Sequence, residues 1–403
     1  MSFQMLETET LGTVIKVIGV GGAGGNAVHH MIRRKVLGVE FVCANTDAQA
    51  LAKAEGHLSL QLGASGLGAG AKPEAGKAAA ESERERIAEA LRGAHMVFIT
   101  AGMGGGTGTG AAPVVAEVAK ELGALTVAVV TKPFSFEGGR RMKAAEQGLA
   151  ELEGKVDSLI VILNEKLEEV LGDEVTQKEA FGAADDVLHN AVAGIAEIIN
   201  VEGLVNVDFE DVKTVMGEQG KAMMGTATAS GPDRARIAAE QAVRSPLLEG
   251  VDLSGARGIL VNITASSTLK LKETKVAMEA IRTFAAEDAT IIFGTVYDEA
   301  LGDDMRVTVV ATGLGASKRR PSLVRSTAAA PMARTGTDDA VGAPVNFGSE
   351  VEPPPAAGNY QDYDRPAIWR QPAKSEAAAR VIALEEGGMD RFDIPAFLRK
   401  QAD

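Results

Sequence analysis

A single cysteine, Cys43, stands in a chain of 403 residues, so no disulfide framework is available and a reducing compartment is expected. Aromatic residues make up only 4% of the sequence against 45% hydrophobic residues overall, so the cores must be aliphatic. No apolar run approaches the ~18 residues that a membrane-crossing helix needs. Met1 to Thr13 lacks the basic segment and apolar stretch of a secretory leader. Membrane contact would therefore run through a partner, with no direct insertion, and a cytoplasmic location is expected. Positive charge is short as well: 41 Lys and Arg against 55 Asp and Glu leave a formal charge of -14, which argues against nucleic acid as a partner. Five histidines without an H-E-x-x-H spacing, and one thiol, offer no zinc cage. His29 and His30 read as surface positions on a helix, and no metal held by side chains is expected. No G-x-x-x-x-G-K-[ST] occurs, so the Walker phosphate loop and its lysine are absent.

Glycine, by contrast, is abundant at 46 residues, and it gathers where strands end. The run Met96-Val97-Phe98-Ile99-Thr100 reads as a buried strand, and Ala111 to Ala119 as a helix. Between them lies Gly102-Met103-Gly104-Gly105-Gly106-Thr107-Gly108-Thr109-Gly110. Glycine lets a backbone turn sharply and approach a ligand closely. A following helix aims free N–H groups and its positive dipole end at an anion. The threonine hydroxyls can donate to phosphate oxygens.

A second glycine loop, Gly19 to Asn26, follows a strand at Val14 to Ile18 and precedes a helix from Ala27 to about Lys35. The next strand, Glu40 to Ala44, ends at Asn45-Thr46-Asp47. A third glycine-rich loop spans Gly63 to Gly76 and includes Gly70 and Ala71, followed by a charged helix from about Ser82 to Arg92. Leu125 to Val130 is a strand ending at Thr131-Lys132-Pro133, and Ser158 to Leu163 another ending at Asn164. Strands alternating with helices predict an α/β fold with a doubly wound parallel sheet. In such sheets ligands sit at the carboxyl ends of the strands, where each of these loops lies. The apolar face Phe181, Ala184, Leu188, Ala191, Ile195, Ile198 predicts one long central helix over Gln177 to Asn200, ~36 Å long and able to join two domains. Strands at Ala222 to Ala229, Gly258 to Ala265, Thr290 to Tyr297 and Arg306 to Thr312 alternate with helices at Arg234 to Val243 and Lys272 to Phe284, predicting a second, smaller mixed α/β domain.

From Ser317 to about Lys374 the chain holds eight of its fourteen prolines and no apolar periodicity, which predicts a disordered linker. Counted to Glu385, it would span roughly 45 Å root-mean-square. The final stretch is apolar again, with Asp393 as a helix cap, Pro395 in the first turn, and Ile394, Phe397 and Leu398 on one face. Such a tail suits a peptide that docks in a partner's groove.

Gly19, Gly21 and Gly24, with Asp47 after the next strand, satisfy the dinucleotide fingerprint G-x-G-x-x-G. An NAD-dependent oxidoreductase is therefore one reading. Two convergent glycine loops suit a nucleoside triphosphate better than a single pyrophosphate. A nucleotide-gated scaffold without turnover is a third reading.

The run Gly104 to Gly110 resembles the signature loop of the tubulin family. Gly19 to Asn26, Asn45-Thr46-Asp47, Pro133 to Gly138 and Asn206 to Asp211 resemble the bacterial cell-division branch of that family, FtsZ, in the right order over residues 12 to 316. The resemblance implies a GTPase that polymerises head to tail into the cytokinetic ring, at mid-cell on the inner face of the membrane. Gly21, Gly22, Ala23, Gly24, Gly25 and Asn26 fall where the family's first loop holds phosphate, and Gly104, Gly105, Gly106, Thr107, Gly108, Thr109 and Gly110 in its signature loop. Asn45, Asp47, Gly70, Ala71, Thr131 and Pro133 fall on flanking nucleotide loops. Glu137 and Arg141 fall on the ribose side, and Asn164, Phe181 and Asp185 near guanine. A carboxylate at 185 would accept from guanine N1–H and N2–H, which adenine does not offer. Phe181 also reads as a plain core residue of its helix. By resemblance Asn206, Asp208 and Asp211 enter the nucleotide site of the next subunit and activate water there; the plainer reading is that Asp208 and Asp211 cap the following helix, and capping can coexist with catalysis. Mg²⁺ would arrive on the phosphates. The tail, through Asp393, Ile394, Pro395, Phe397, Leu398 and Arg399, would bind membrane-tethering and regulatory division proteins (FtsA-like adaptors). The implied domains are a flexible N-terminus over 1–11, a GTP-binding domain over 12–176 and a central helix over 177–203. A C-terminal α/β domain over 204–316, a linker over 317–385 and an adaptor-binding tail over 386–403 complete the chain.

Overall fold

The computed structural model describes residues 12–52, 57–172, 174–201, 205, 207–218, 221–245, 256–286 and 289–314. The expectations for residues 1–11, for Asn206, for the linker over 317–385 and for the tail over 386–403, including Asp393 to Arg399, lie outside the described residues.

The chain runs β1 (Ile15–Val20), α1 (Gly21–Arg33), β2 (Val39–Asn45), α2 (Ala48–Ala52), β3 (Leu58–Gln61), α3 (Pro73–Glu81) and α4 (Arg84–Leu91). There follow β4 (Met96–Gly102), α5 (Thr107–Glu121), β5 (Leu125–Lys132), α6 (Gly139–Glu153), β6 (Ser158–Leu163) and α7 (Asn164–Leu171). Then come α8 (Gln177–Asn200), α9 (Phe209–Met216), β7 (Lys221–Ala229), α10 (Arg234–Val243), β8 (Gly258–Ala265), α11 (Leu271–Arg282), β9 (Thr290–Tyr297) and β10 (Met305–Leu314). Among the described residues the ten strands form one sheet, ordered β3-β2-β1-β4-β5-β6-β7-β10-β8-β9. From β3 to β6 every pairing is parallel. The central strands β4 and β5 are mostly apolar and buried along almost their whole length, as a sheet covered on both faces requires.

Alternation along each strand divides the core. On one face Val17, Phe98, Val127 and Val129 pack with Val28 and Met31 of α1 and with Leu188, Val192 and Ile195 of α8. On the other, Ile18, Val20, Ile99 and Val130 meet α3 to α6 through Ala80, Ile87, Val114, Val115 and Leu152. The second half of the sheet joins the first by only two residue pairs, Leu159 with Lys221 and Ile160 with Ala222. Helix α8 bridges that narrow join. Its buried face shares a core with Ile160 of β6, Met224 of β7, Leu260 of β8 and Val310 of β10. Its start is fixed by a capping box in which Thr176 N–H donates to Glu179 Oε2 at 2.9 Å and Glu179 N–H donates to Thr176 Oγ1 at 3.3 Å. Helices α10 and α11 cover the opposite face of β7 to β10.

Three local expectations change. The glycines after β1 are the opening turns of α1, not a loop before it. Low helix propensity, about 1 kcal/mol per glycine, makes Gly21 to Gly25 read as irregular. Tertiary contact overrides it. A β-carbon on Gly24 would collide with the Thr100 carbonyl, and one on Gly21 would lie 2.9 Å from the Gly108 nitrogen. The glycines are what let α1, β4 and α5 approach. His29 and His30 are half-buried, not surface residues, and His30 Nε2 lies 2.8 Å from Asp186 Oδ1. Likewise the loop over Gly63 to Gly76 ends early, where Pro73 opens α3.

Candidate functional site

The carboxyl ends of β1, β4 and β5 and the starts of α1, α5 and α8 surround one cleft. It has two lobes, of about 600 Å³ and about 300 Å³, with Gly22, Asn26 and Asp185 shared between them. The larger lobe takes Gly21, Gly25, Asn45, His29 and Arg33; the smaller takes Ala23, Gly102 and Gly105 to Gly108. Thr131, Pro133, Glu137, Arg141, Asn164 and Phe181 close its far side.

At Gly22 and Gly25 an added β-carbon would meet nothing within 4 Å, so their backbones face open space at a helix N-terminus. At the start of α5, Thr107 Oγ1 lies 2.6 Å from Thr46 Oγ1, which ties the second strand-end loop to the signature loop. These features give a nest of backbone N–H groups and hydroxyls suited to an anion. Arg33 and Arg141 bring positive charge to the cleft. Arg141 pairs with Glu137 at 2.7 Å, and Glu137 also accepts from the Phe134 N–H at 3.0 Å.

The other end of the cleft is built for a planar ring. Phe181 is 40% exposed and packs edge-on to Phe134 with ring centroids 5.3 Å apart, so it is a rim residue and not core. Asn164 is buried, and its Oδ1 has no hydrogen-bond partner. A buried orphan acceptor lining a cleft points to a donor on a ligand. Burial pushes the Asp185 carboxyl up to about 6, with Asp186 adding to the rise and His30 and Arg33 opposing it.

Several residues expected in the site serve the scaffold. Asp47 caps α2, accepting from Gln49 N–H at 2.8 Å and Ala50 N–H at 3.3 Å, and does not line the cleft. Its neighbour Thr46 reaches α5 instead. Thr109 Oγ1 accepts from Gly104 N–H at 2.8 Å and is buried, so it braces the turn. A β-carbon on Gly104 would lie 2.7 Å from the Arg141 carbonyl, and one on Gly110 would strike the Pro73 carbonyl. Gly24 faces β4. Gly70 and Ala71, with φ of 58° and 56°, sit on an exposed loop that packs behind Gly106 through Ala69 and Lys72. Residues missed in sequence include His29, Ile32 and Arg33. They continue the stripe Gly21, Gly22, Gly25, Asn26 at helical spacing, and the signal was hidden by starting the helix at Ala27.

Asp208 and Asp211 are elsewhere. Asp208 Oδ1 accepts from Asp211 N–H at 2.8 Å, capping α9, and both residues are exposed. The ring of the intervening Phe209 lies 6.1 Å from that of His95. His95 marks the amino ends of β1, β4 and β5: its N–H donates to the Val14 carbonyl, and its carbonyl accepts from Leu125 N–H. The cleft begins at Gly102, the other end of β4. At ~3.3 Å per residue the strand is roughly 20 Å long. Within one chain the two carboxylates are far beyond the ~3 Å reach of a group acting on a water in the cleft.

Residues 14–172 match the GTPase domain of the tubulin/FtsZ family, and residues 220–315 match the FtsZ family C-terminal domain. The cell division protein FtsZ of Pseudomonas putida is 54% identical over 404 residues, covering 100% of both chains. The Pseudomonas aeruginosa protein is 53% identical over 405 residues, again covering 100% of both. Among solved structures, an empty FtsZ dimer from M. jannaschii superimposes with a TM-score of 0.73 at 43% identity, covering 77% of this chain and 90% of that one.

Proposed function

The chain belongs to the tubulin/FtsZ family, in its FtsZ cell-division branch, and we propose that each of its GTP sites is completed by the next subunit of a head-to-tail filament. It is a GTP-binding, GTP-hydrolysing protein of cell division that self-assembles. In this reading the backbones of Gly21, Gly22, Gly25, Asn26 and Gly105 to Gly108 hold the phosphates. Glu137, Arg141, Thr131 and Pro133 flank the ribose. Phe181 covers one face of guanine, Asp185 accepts from its N1–H and N2–H, and Asn164 receives a donor through its orphan Oδ1. A magnesium ion carried by the triphosphate would neutralise charge on the phosphate oxygens. The described cleft offers the phosphates donors and little else, so it binds without activating water.

The separation of Asp208 and Asp211 from the cleft carries the proposal. Two exposed carboxylates at the amino ends of the strands, and a donor-lined cleft at the carboxyl ends, are complementary halves of one hydrolytic site. A head-to-tail contact brings the two ends together, is heterologous, and extends into a filament. Asp208 and Asp211 then orient and polarise a water in line with the γ-phosphate of the neighbour's GTP. The tail over 386–403 serves as the peptide for membrane-tethering adaptors, with 317–385 as its tether, and puts the filament at the mid-cell ring. Among the described residues no helix is long and apolar enough to cross a membrane.

Mixing two inactive variants tests the split site. Asp211→Ala keeps the cleft and loses a carboxylate. Gly22→Asp adds a carboxylate where a β-carbon has open space, so the fold tolerates it while the phosphates are repelled. Each alone should release almost no phosphate. Together they create interfaces that pair an intact cleft with an intact carboxylate pair, and turnover should return. A mixture that co-sediments as filaments yet stays inactive refutes the proposal.

A further inference from the structure

Beside the opening turns of α1 lie three side chains that GTP chemistry leaves unused. His29 is on α1, Cys43 is in β2, and His57 directly precedes β3. One ligating atom from each lies within 4.8 Å of those of the other two. The two imidazoles meet edge-on with centroids 5.0 Å apart and planes at 63°. Cys43 is buried beside them. Nε2 of His29 is itself buried and has no hydrogen-bond partner, which is unusual for a polar atom in a core.

We propose that His29, Cys43 and His57 bind a borderline-soft divalent cation, zinc foremost. Two imidazole nitrogens and a sulfur suit zinc and exclude magnesium, which takes oxygen ligands. With Zn–N near ~2.0 Å and Zn–S near ~2.3 Å, tetrahedral ligand atoms stand roughly 3.5 Å apart. The trio therefore closes by about 1 Å, within the reach of side-chain rotation. Three protein ligands leave a fourth position for water, and His29 and Cys43 both line the larger lobe of the cleft, which gives solvent and ion a way in.

Burial acts in opposite senses on the two kinds of ligand, and the proposal rests on the geometry above. Burial holds His29 below the usual imidazole range, with His57 and Arg33 acting in the same direction, so its lone pair is available at neutral pH. Burial pushes the Cys43 thiol up to about 12, which opposes the thiolate, so zinc uptake must displace that proton and should strengthen as pH rises. The Arg33 guanidinium opposes a cation in this lobe and the Asp185 carboxylate favours one. An ion here would clip α1 to β2 and to the entry of β3, directly behind the glycines that face the cleft. It would bind only the folded chain and so stabilise it.

The test uses the full chain, stripped of nucleotide and metal by dialysis against chelator. Cobalt(II) should bind at one equivalent. It should give a sulfur-to-cobalt charge-transfer band and the intense visible bands of a tetrahedral site, both erased by zinc. Cys43→Ala should lose the charge-transfer band. His29→Gln and His57→Gln should each weaken zinc by about tenfold or more. Zinc should raise the melting temperature of the parent and leave that of Cys43→Ala in place. X-ray absorption at the zinc edge of the unmutated protein reads the ligands directly, so the test survives a variant that fails to fold. One sulfur and two imidazole nitrogens support the site. A shell of oxygen alone, or zinc affinity unchanged in Cys43→Ala, overturns it.

Discussion

Replacing Asp185 by asparagine should strengthen the empty protein and loosen its choice of base. Burial lifts this carboxyl from 3.8 to about 6, while its neighbour Asp186 pairs with His30 at 2.8 Å and Arg34 at 2.7 Å. The folded state therefore holds the Asp185 proton more tightly than the unfolded state does. Its charge destabilises the fold above pH ~6, and the penalty fades as pH falls from about 6 towards 3.8. About two pKa units correspond to ~3 kcal/mol, and solvent screening of a partly exposed group reduces this to ~1–2 kcal/mol. Asp185→Asn should thus gain ~1–2 kcal/mol at pH 7.5 in urea melts of nucleotide-free protein, and the gain should vanish below pH ~4. The ligand side moves the other way. A carboxylate accepts twice from guanine through charge-assisted bonds. An amide offers one acceptor and one donor, which adenine can satisfy as well. GTP affinity should fall about tenfold, equal to ~1.4 kcal/mol, while ATP becomes a better competitor against a fluorescent GTP analogue. A variant with parental stability at pH 7.5 and parental preference for GTP would refute both the burial argument and the role given to Asp185.

The glycines of α1 and α5 should separate by what surrounds them. Gly24→Ala and Gly110→Ala, which meet backbone carbonyls, should each lose ~2–4 kcal/mol in urea melts, while Gly25→Ala, which meets nothing, should hold or gain ~0.5 kcal/mol. Equal losses at Gly24 and Gly25 would contradict the packing described. In the second half of the sheet, Arg234 is buried and held by Glu273 at 2.7 Å and by the Asp303 carbonyl at 2.8 Å. Glu273→Ala should lose about 3–5 kcal/mol by stranding the guanidinium. The hydrogen bond from Arg234 holds the Glu273 carboxyl below its usual value, so the pair's contribution should persist at neutral pH and decline only as acid titrates through that lowered value, which a pH series of melts would read. Chelation of magnesium should stop phosphate release from assembled filaments, and release at an undiminished rate would remove the ion from the proposed mechanism.

Much of the fold was legible because its elements carry strong periodic signals. Helix α8 spans Gln177 to Asn200 as predicted, since Ala184, Leu188, Ala191, Ile195 and Ile198 form one buried stripe. Strands β6, β8 and β9 also fall on their predicted bounds, being short apolar runs set off by polar or small residues. What failed was local and had physical causes. Glycines at the start of α1 imitate a loop because their use is close approach, which only the partner elements reveal. Asp47 reads as a nucleotide-loop residue because a cap and a ligand share a side chain and a position after a strand, and in the structure it caps α2. Strand β3 is a four-residue edge strand with two exposed positions, too short for alternation to register. His29, Cys43 and His57 are scattered over 29 residues, and only the pairing of β2 with β3 and the packing of α1 bring them together.

The proposed division of the site, its two halves lying at opposite ends of β4 within one chain, has an arithmetic consequence. A filament with its site split between neighbours always contains one fewer complete site than it has subunits. A free subunit has none, a pair has one, and a long filament approaches one each. Turnover per subunit therefore reports length, and the subunit whose cleft faces solvent keeps its GTP. The two ends of a filament made of identical parts would then differ chemically, one marked by unspent nucleotide and the other by unused carboxylates.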